Sequence, residues 1–244
     1  MRAKSARRSL TGASLPAVTT NPVLLVHGFA SSFHHNWQET GLSYLLEDAK
    51  REVIGVDLLG HGDAPKPHDP AEYADLGARV VDALPPSGQV DAVGFSMGAR
   101  TLLEVAAAHP DRFGRLVVAG VGENLFASDR DGEPIAHAIE TGDGGPGGIA
   151  ALFVQFAAGS GNDPKALAAC MRRTEPPITA EQLARITCPT LVVIGDKDFC
   201  GPADRLVSLL PNATHKVLRN VEHFATPKDY GFIDATLEFL GATI

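Results

Sequence analysis

Cysteine is scarce in this chain, with three residues in 244: Cys170, Cys188 and Cys200. They are too few and too scattered for a disulfide framework or a zinc site, so the expectation is reduced thiols in a cytoplasmic protein with no bound metal. No apolar run reaches the roughly 20 residues that a bilayer-spanning helix needs, so no integral membrane segment is expected. Positive charge is also short, with 21 Lys and Arg against 29 Asp and Glu and a formal net charge of −8. Nucleic-acid binding draws most of its affinity from cation–phosphate contacts, so a nucleic-acid partner is not expected either. Residues 1–13 are basic but lack the apolar stretch of a secretory signal. They read as a flexible basic tail, with an organellar targeting role left open.

What is present is the composition of an ordinary globular protein, 44% hydrophobic and 20% charged, in a length that suits one large α/β domain. Short apolar runs recur at Pro22–Val26, Glu52–Asp57, Val90–Phe95, Arg115–Ala119, Thr190–Ile194 and His215–Leu218. They do not alternate with polar residues, as expected of strands covered on both faces. Helices are predicted between them near 38–50, 71–84, 97–109, 202–210 and 228–241. This alternation implies an α/β fold with a mostly parallel sheet flanked by helices.

Residues 123–186 break the rhythm. They offer no strand, but helix-like segments lie near 134–140, 149–157, 164–173 and 179–186. The stretch Thr141–Gly148 is a breaker cluster and must be a loop, and Asp163 before Pro164 marks a capped helix start. We read 123–186 as a small helical cap, or lid, over the carboxyl edge of the sheet, where open α/β folds bind ligands. Residues 14–122 and 187–244 then form the core.

Gly94-Phe-Ser-Met-Gly98 fits the pattern G-x-S-x-G, and an apolar strand precedes it while a strong helix former follows. A sharp strand-to-helix turn there would hold Ser96 in a strained conformation, with its Oγ at the sheet edge. The Met97 N–H would lie at a helix N-terminus, where it can stabilise an anion. Serine needs a base to take its proton. Of nine histidines, His34, His35, His61, His68, His109, His137 and His215 show no sign of that role. His27 follows the first strand at the same edge. His223 stands out, because its short loop lies between the last apolar run and the terminal helix. The base in turn needs an anionic partner, and Gly195-Asp-Lys-Asp198 offers two carboxylates after a strand.

Four motifs now stand together: His27-Gly28-Phe29, Asp57-Leu-Leu-Gly-His-Gly62, Gly94–Gly98, and Gly195–Asp198 with His223. In this order the chain resembles the α/β-hydrolase superfamily, serine esterase-like and with a helical cap. The resemblance implies that Asp198, closing a G-x-x-D turn, is the acid in preference to Asp196. It implies that the Phe29 N–H joins that of Met97 in an oxyanion hole. Asp57, Gly60 and Gly62 match a loop that shapes the fold. Ala64 departs from the serine common in related loops, without touching the chemistry.

The function implied is hydrolysis of a carboxylic ester, thioester or lactone of a small or medium substrate through an acyl-enzyme, with no cofactor. Trp37, Arg100, Phe126, Phe153, Phe156 and Met171 are candidate pocket residues, although Trp37 and the helix-spaced Phe153 and Phe156 also fit plain core packing. The pattern S-x-G-x-R at Ser96–Arg100 also resembles the cyclohexadiene-carboxylate synthase of menaquinone biosynthesis, a carbon–carbon lyase, although Arg100 equally fits a helix surface. A diketone-cleaving hydrolase is a related alternative, and a non-catalytic ligand-binding receptor a remote one. Nothing in the sequence specifies the oligomeric state.

Overall fold

The protein was analysed as a computed structural model that describes residues 20–128 and 131–243, so the basic tail at 1–13 lies outside the described residues. The apolar runs form strands β1 (Val23–Val26), β2 (Val53–Val56), β3 (Val90–Phe95), β4 (Phe113–Ala119), β5 (Thr190–Gly195) and β6 (Ala213–Leu218). Among the described residues they make one sheet in the order β2-β1-β3-β4-β5-β6, parallel throughout. Side chains alternate between two cores. Leu24, Val26, Ala92, Leu116, Val118, Val192 and Ile194 face one, while Val23, Leu25, Val93, Phe95, Val117 and Val193 face the other. Both faces are covered, so the central strands carry no polar alternation. The edge strand β6 is largely exposed and carries His215 and Lys216, polar groups that discourage pairing with another chain.

Helices α1 (Leu42–Asp48), α2 (Gly77–Asp82), α3 (Met97–Ala108), α4 (Glu133–Thr141), α5 (Gly148–Ala158), α6 (Pro164–Arg172), α7 (Ala180–Ala184), α8 (Asp204–Leu209) and α9 (Tyr230–Leu240) complete the fold. The helix predicted over 38–50 is shorter than expected. Gly41, at φ 86°, separates a π-helical turn at His34–Gln38 from α1. The one predicted over 71–84 divides into a 3-10 turn at Pro70–Tyr73 and α2. None of these helices is long and apolar enough to cross a membrane.

Helices α4–α7 all lie in the segment between β4 and β5. The Asp163 carboxylate caps α6, accepting from the Lys165 N–H at 2.9 Å. Asn162 ties this segment to the sheet edge: its amide donates to the Ser31 carbonyl at 3.0 Å and accepts from the Gly62 N–H at 2.8 Å. The strand order reverses direction between β1 and β3, and a ligand crevice is expected at that switch point.

The opposite end of the sheet is pinned by a buried ion pair. Arg51 Nη2 lies 2.6 Å from Asp91 Oδ2, with both side chains almost fully buried. The same guanidinium donates to the carbonyls of Asn21 and Leu240, so it joins the starts of β1 and β3 to the end of α9. Removing one partner leaves a buried charge poorly compensated. We expect Arg51→Ala to lose about 3–5 kcal/mol of stability in urea unfolding, and replacement of both partners by apolar residues to lose much less.

Candidate active site

Ser96 lies at the switch point, between the end of β3 and the first turn of α3. Its backbone has φ 52° and ψ −114°, a strained conformation for a residue with a Cβ that costs on the order of 1–3 kcal/mol. Packing over-determines it. A Cβ on Gly98 would stand 2.4 Å from the carbonyl oxygens of both Val26 and His27, and one on Gly94 would stand 2.8 Å from the Ala99 backbone. Only glycine lets α3 sit this close to β1 and β3. The Met97 N–H, at the first position of α3, has no acceptor within the helix.

His223 comes from the loop after β6 and is almost fully buried. Its Nε2 lies 2.9 Å from Ser96 Oγ, and its Nδ1 lies 2.9 Å from both carboxylate oxygens of Asp198. With the proton on Nδ1 donated to Asp198, Nε2 is left to accept the serine hydroxyl. Asp198 is also buried and accepts from the Cys200 N–H at 2.8 Å. Asp196 is exposed, and its carboxylate accepts from the Asn220 N–H at 2.7 Å within the adjoining turn. The two loops touch closely: a Cβ on Gly195 would stand 2.1 Å from the Val221 carbonyl oxygen. Aromatic rings surround the imidazole, with Phe199, Phe95 and Phe224 centroids at 4.3, 4.9 and 5.2 Å.

His27, the other histidine at this edge, is bound into the structure. Its Nδ1–H donates to the Gly28 carbonyl at 2.7 Å, and its Nε2 accepts from the Leu58 N–H at 3.1 Å. Burial holds its pKa below the usual histidine value, which keeps it neutral and able to accept. The Gly28 N–H donates to Asn36 Oδ1 at 2.8 Å. The Gly28 carbonyl and the Phe29 N–H belong to one planar trans peptide, so the bond from His27 turns that N–H away from the imidazole. His27 and Asn36 therefore fix the two peptide planes that flank Gly28, and with them the direction of the Phe29 amide. Sequence reasoning missed them, because such a role depends on which backbone atom a buried side chain reaches. The loop glycines act sterically: a Cβ on Gly62 would stand 2.1 Å from Asp57 Oδ2.

A cavity of about 220 Å³ opens on Ser96 and His223, and Phe29 and Met97 also line it. Of the predicted pocket residues, Arg100, Phe153 and Met171 face this cavity. Trp37, Phe126 and Phe156 do not, and the expectation for them is corrected. Trp37 is fully buried in the other core, against Phe232. Phe126 packs under the Arg205 guanidinium at 4.0 Å. Phe156 lines a neighbouring groove and stacks on Phe224 at 4.7 Å. Arg100 is no surface residue of α3. It is buried, its Nε lies 2.8 Å from Glu175 and 3.1 Å from Glu104, and it donates to the Pro176 carbonyl. Phe199, Cys200, Arg173 and Glu175 also line the cavity and were not anticipated. For Phe199 and Cys200 the available signal was adjacency to Asp198.

The fold defines a class: the chain has the α/β-hydrolase fold, and the family model for the alpha/beta hydrolase fold matches residues 21–137. Among individual proteins, it is 32% identical over 138 residues to the pimeloyl-[acyl-carrier protein] methyl ester esterase of Neisseria meningitidis serogroup B, covering 53% of this chain and 47% of that one. It is 35% identical over 103 residues to the 2-hydroxymuconate semialdehyde hydrolase of Pseudomonas putida, covering 41% and 36%. The chain thus spans about half the length, or less, of these curated relatives. Among solved structures, a thermophilic esterase from Thermogutta terrifontis superposes with a TM-score of 0.69 at 21% identity, over 91% of this chain and 90% of that one.

The two carboxylates after β5 can be separated by experiment. Asp198→Asn should lose about 10⁴ in kcat, since the imidazole would settle in the wrong tautomer. Asp196→Asn should stay within roughly tenfold of the parent, about 1.4 kcal/mol. Side-by-side assays on one activated ester check this, and the reverse ranking would transfer the acid role to Asp196.

Proposed function

We propose that this protein is a serine hydrolase that cleaves the carboxylic ester of a small or medium-sized substrate through an acyl-enzyme. The observation that carries this reading is the continuous hydrogen-bonded chain Ser96–His223–Asp198, with Ser96 on a strained turn at a helix N-terminus. His223 takes the Ser96 proton as Oγ attacks the carbonyl carbon, and the Phe29 and Met97 amides receive the developing oxyanion. Each such donor supplies on the order of 3 kcal/mol of transition-state stabilisation. The protonated His223 then gives its proton to the leaving alcohol and activates water against the acyl-enzyme. Desolvation by Phe95, Phe199 and Phe224 strengthens the Asp198–imidazolium attraction. The resemblance to an esterase and to another hydrolase supports the same class of reaction.

The lyase alternative draws less support. A polycarboxylate substrate calls for excess positive charge in its pocket, whereas the buried Arg100 is matched by Glu104 and Glu175, and Arg173 by Glu175 at 2.8 Å. A thioester or lactone would use the same groups as an ester.

The cavity is smaller than the roughly 300–1,000 Å³ of drug-sized ligand pockets. Among p-nitrophenyl esters from acetate to decanoate we therefore expect the shorter acyl chains to turn over best. Ser96→Ala should lose at least about a thousandfold in kcat while remaining folded, and a serine-directed phosphonate should label Ser96 alone. Retained turnover in the clean variant would refute the serine mechanism. Phe153→Ala should shift the preference toward longer chains through KM more than kcat, as expected for uniform binding. Phe156→Ala, outside the cavity, should leave the chain-length profile unchanged.

A further inference from the structure

We propose that Asp198, Cys200 and His223 form a binding site for Zn²⁺, and that its occupancy switches the hydrolase off. The inference rests on the reading of His223 as the base for Ser96. Cysteine spacing alone gave no reason to expect a zinc site, but the fold adds an imidazole and a carboxylate to one cysteine. The potential ligand atoms of the three residues all lie within 4.8 Å of one another, on the loops that follow β5 and β6. Cys200 Sγ is 3.6 Å from His223 Nδ1, and Nδ1 is 2.9 Å from Asp198. Zn²⁺ takes sulfur at about 2.3 Å and nitrogen or oxygen at about 2.0–2.2 Å in a tetrahedron, which sets ligand atoms roughly 3.3–3.8 Å apart. The sulfur–nitrogen separation falls inside that range and the nitrogen–carboxylate separation below it, so a small outward shift of the Asp198 carboxylate admits the ion. Cys200 and His223 both line the cavity that opens on Ser96, and from there a water can fill the fourth position.

The consequence follows from the two nitrogens of one ring. Coordination through Nδ1 requires its lone pair, so the imidazole proton moves to Nε2. The Cys200 thiol binds as thiolate and releases one proton to solvent, with no change of oxidation state. Nε2, 2.9 Å from Ser96 Oγ, is then a donor and cannot take the serine proton. Asp198 is meanwhile drawn onto the metal and no longer orients the ring.

The test uses chelator-treated enzyme, an activated ester, ZnCl₂, and the variants Cys200→Ala and Cys200→Ser, each referred to its own zinc-free rate. Zinc should inhibit the parent and EDTA should restore it. Both variants should raise the half-inhibitory zinc concentration at least about tenfold, the lower end of the loss seen when a residue supporting a metal site is removed. CoCl₂ should give a thiolate-to-cobalt charge-transfer band in the parent that both variants lack. Because Cys200→Ser is nearly isosteric, it keeps the comparison available if Cys200→Ala fails to fold. Equal inhibition of parent and variants without the band would overturn the proposal and move zinc to surface groups such as His34, His35 and Glu39. Absence of inhibition and of the band would overturn it too, and Ser96-dependent turnover would then leave the hydrolase reading standing. A cobalt band with undiminished turnover would overturn both the switch and the role of His223 as base.

Discussion

The contact between Gly98 and the carbonyl oxygens of Val26 and His27 constrains everything else at this edge of the sheet. A Cβ there would come within 2.4 Å of both oxygens, so α3 can leave β3 at this angle only with glycine at that point. The close approach forces Ser96 to positive φ and aims its side chain off the sheet edge. It also sets the Met97 amide at the start of α3 beside the Phe29 loop that follows β1. Strain at one residue is sustained because buried strands surround it on both sides, and the sheet core supplies the stability that the turn spends.

A second constraint is the state of the buried polar groups around Ser96. His27 and His61 are both buried, and burial keeps each below the ordinary histidine pKa. Neutral rings can accept as well as donate: His27 accepts from Leu58 and donates to Gly28, and so fixes the peptide that carries the Phe29 N–H. His223 differs by having a carboxylate against Nδ1 and a hydroxyl against Nε2. Two histidines at one sheet edge thus have different surroundings, set by what each nitrogen meets. The Phe199 and Phe224 rings pack against the His223 imidazole, and each directly follows one of the two residues of the Asp198–His223 pair.

The helical segment between β4 and β5 makes the cavity a compartment with two kinds of wall. Phe153 of α5 reaches down to Phe29 and Phe224, with centroids 5.7 and 5.5 Å away. Met171 of α6 adds a second apolar surface. The far wall holds Arg100, Arg173 and Glu175, whose charges are matched among themselves and with Glu104. Burial pushes the Glu104 carboxyl up and Arg100 pulls it back, so this wall remains polar without excess charge. Asn162, bonded to the Ser31 and Gly62 loops, holds the segment to the sheet edge.

The sequence by itself determined where the strands lie and which segments between them are helical, though not every helix boundary, because each signal is local. Continuous apolar runs such as Pro22–Val26 suit strands covered on both faces, and G-x-S-x-G between an apolar run and a helix former specifies a tight turn. It also named Ser96, Asp198 and His223 as a set, with Asp198 chosen by resemblance. Which carboxylate meets the imidazole was decided by the tertiary structure, where Asp198 is buried against Nδ1 and Asp196 is tied to Asn220. The cavity wall was legible only in part. Phe153 and Phe156 are three residues apart on one helix, yet one faces Ser96 and the other a separate groove, since a small difference in direction around the helix axis decides which loop each meets. Trp37 and Arg100 show the same limit. Composition cannot say on which side of a sheet an indole is buried, or that a guanidinium on α3 will find Glu175, 75 residues later, across the cavity. Those contacts join residues far apart in the chain, and only the packing of the helical segment onto the sheet edge brings them together.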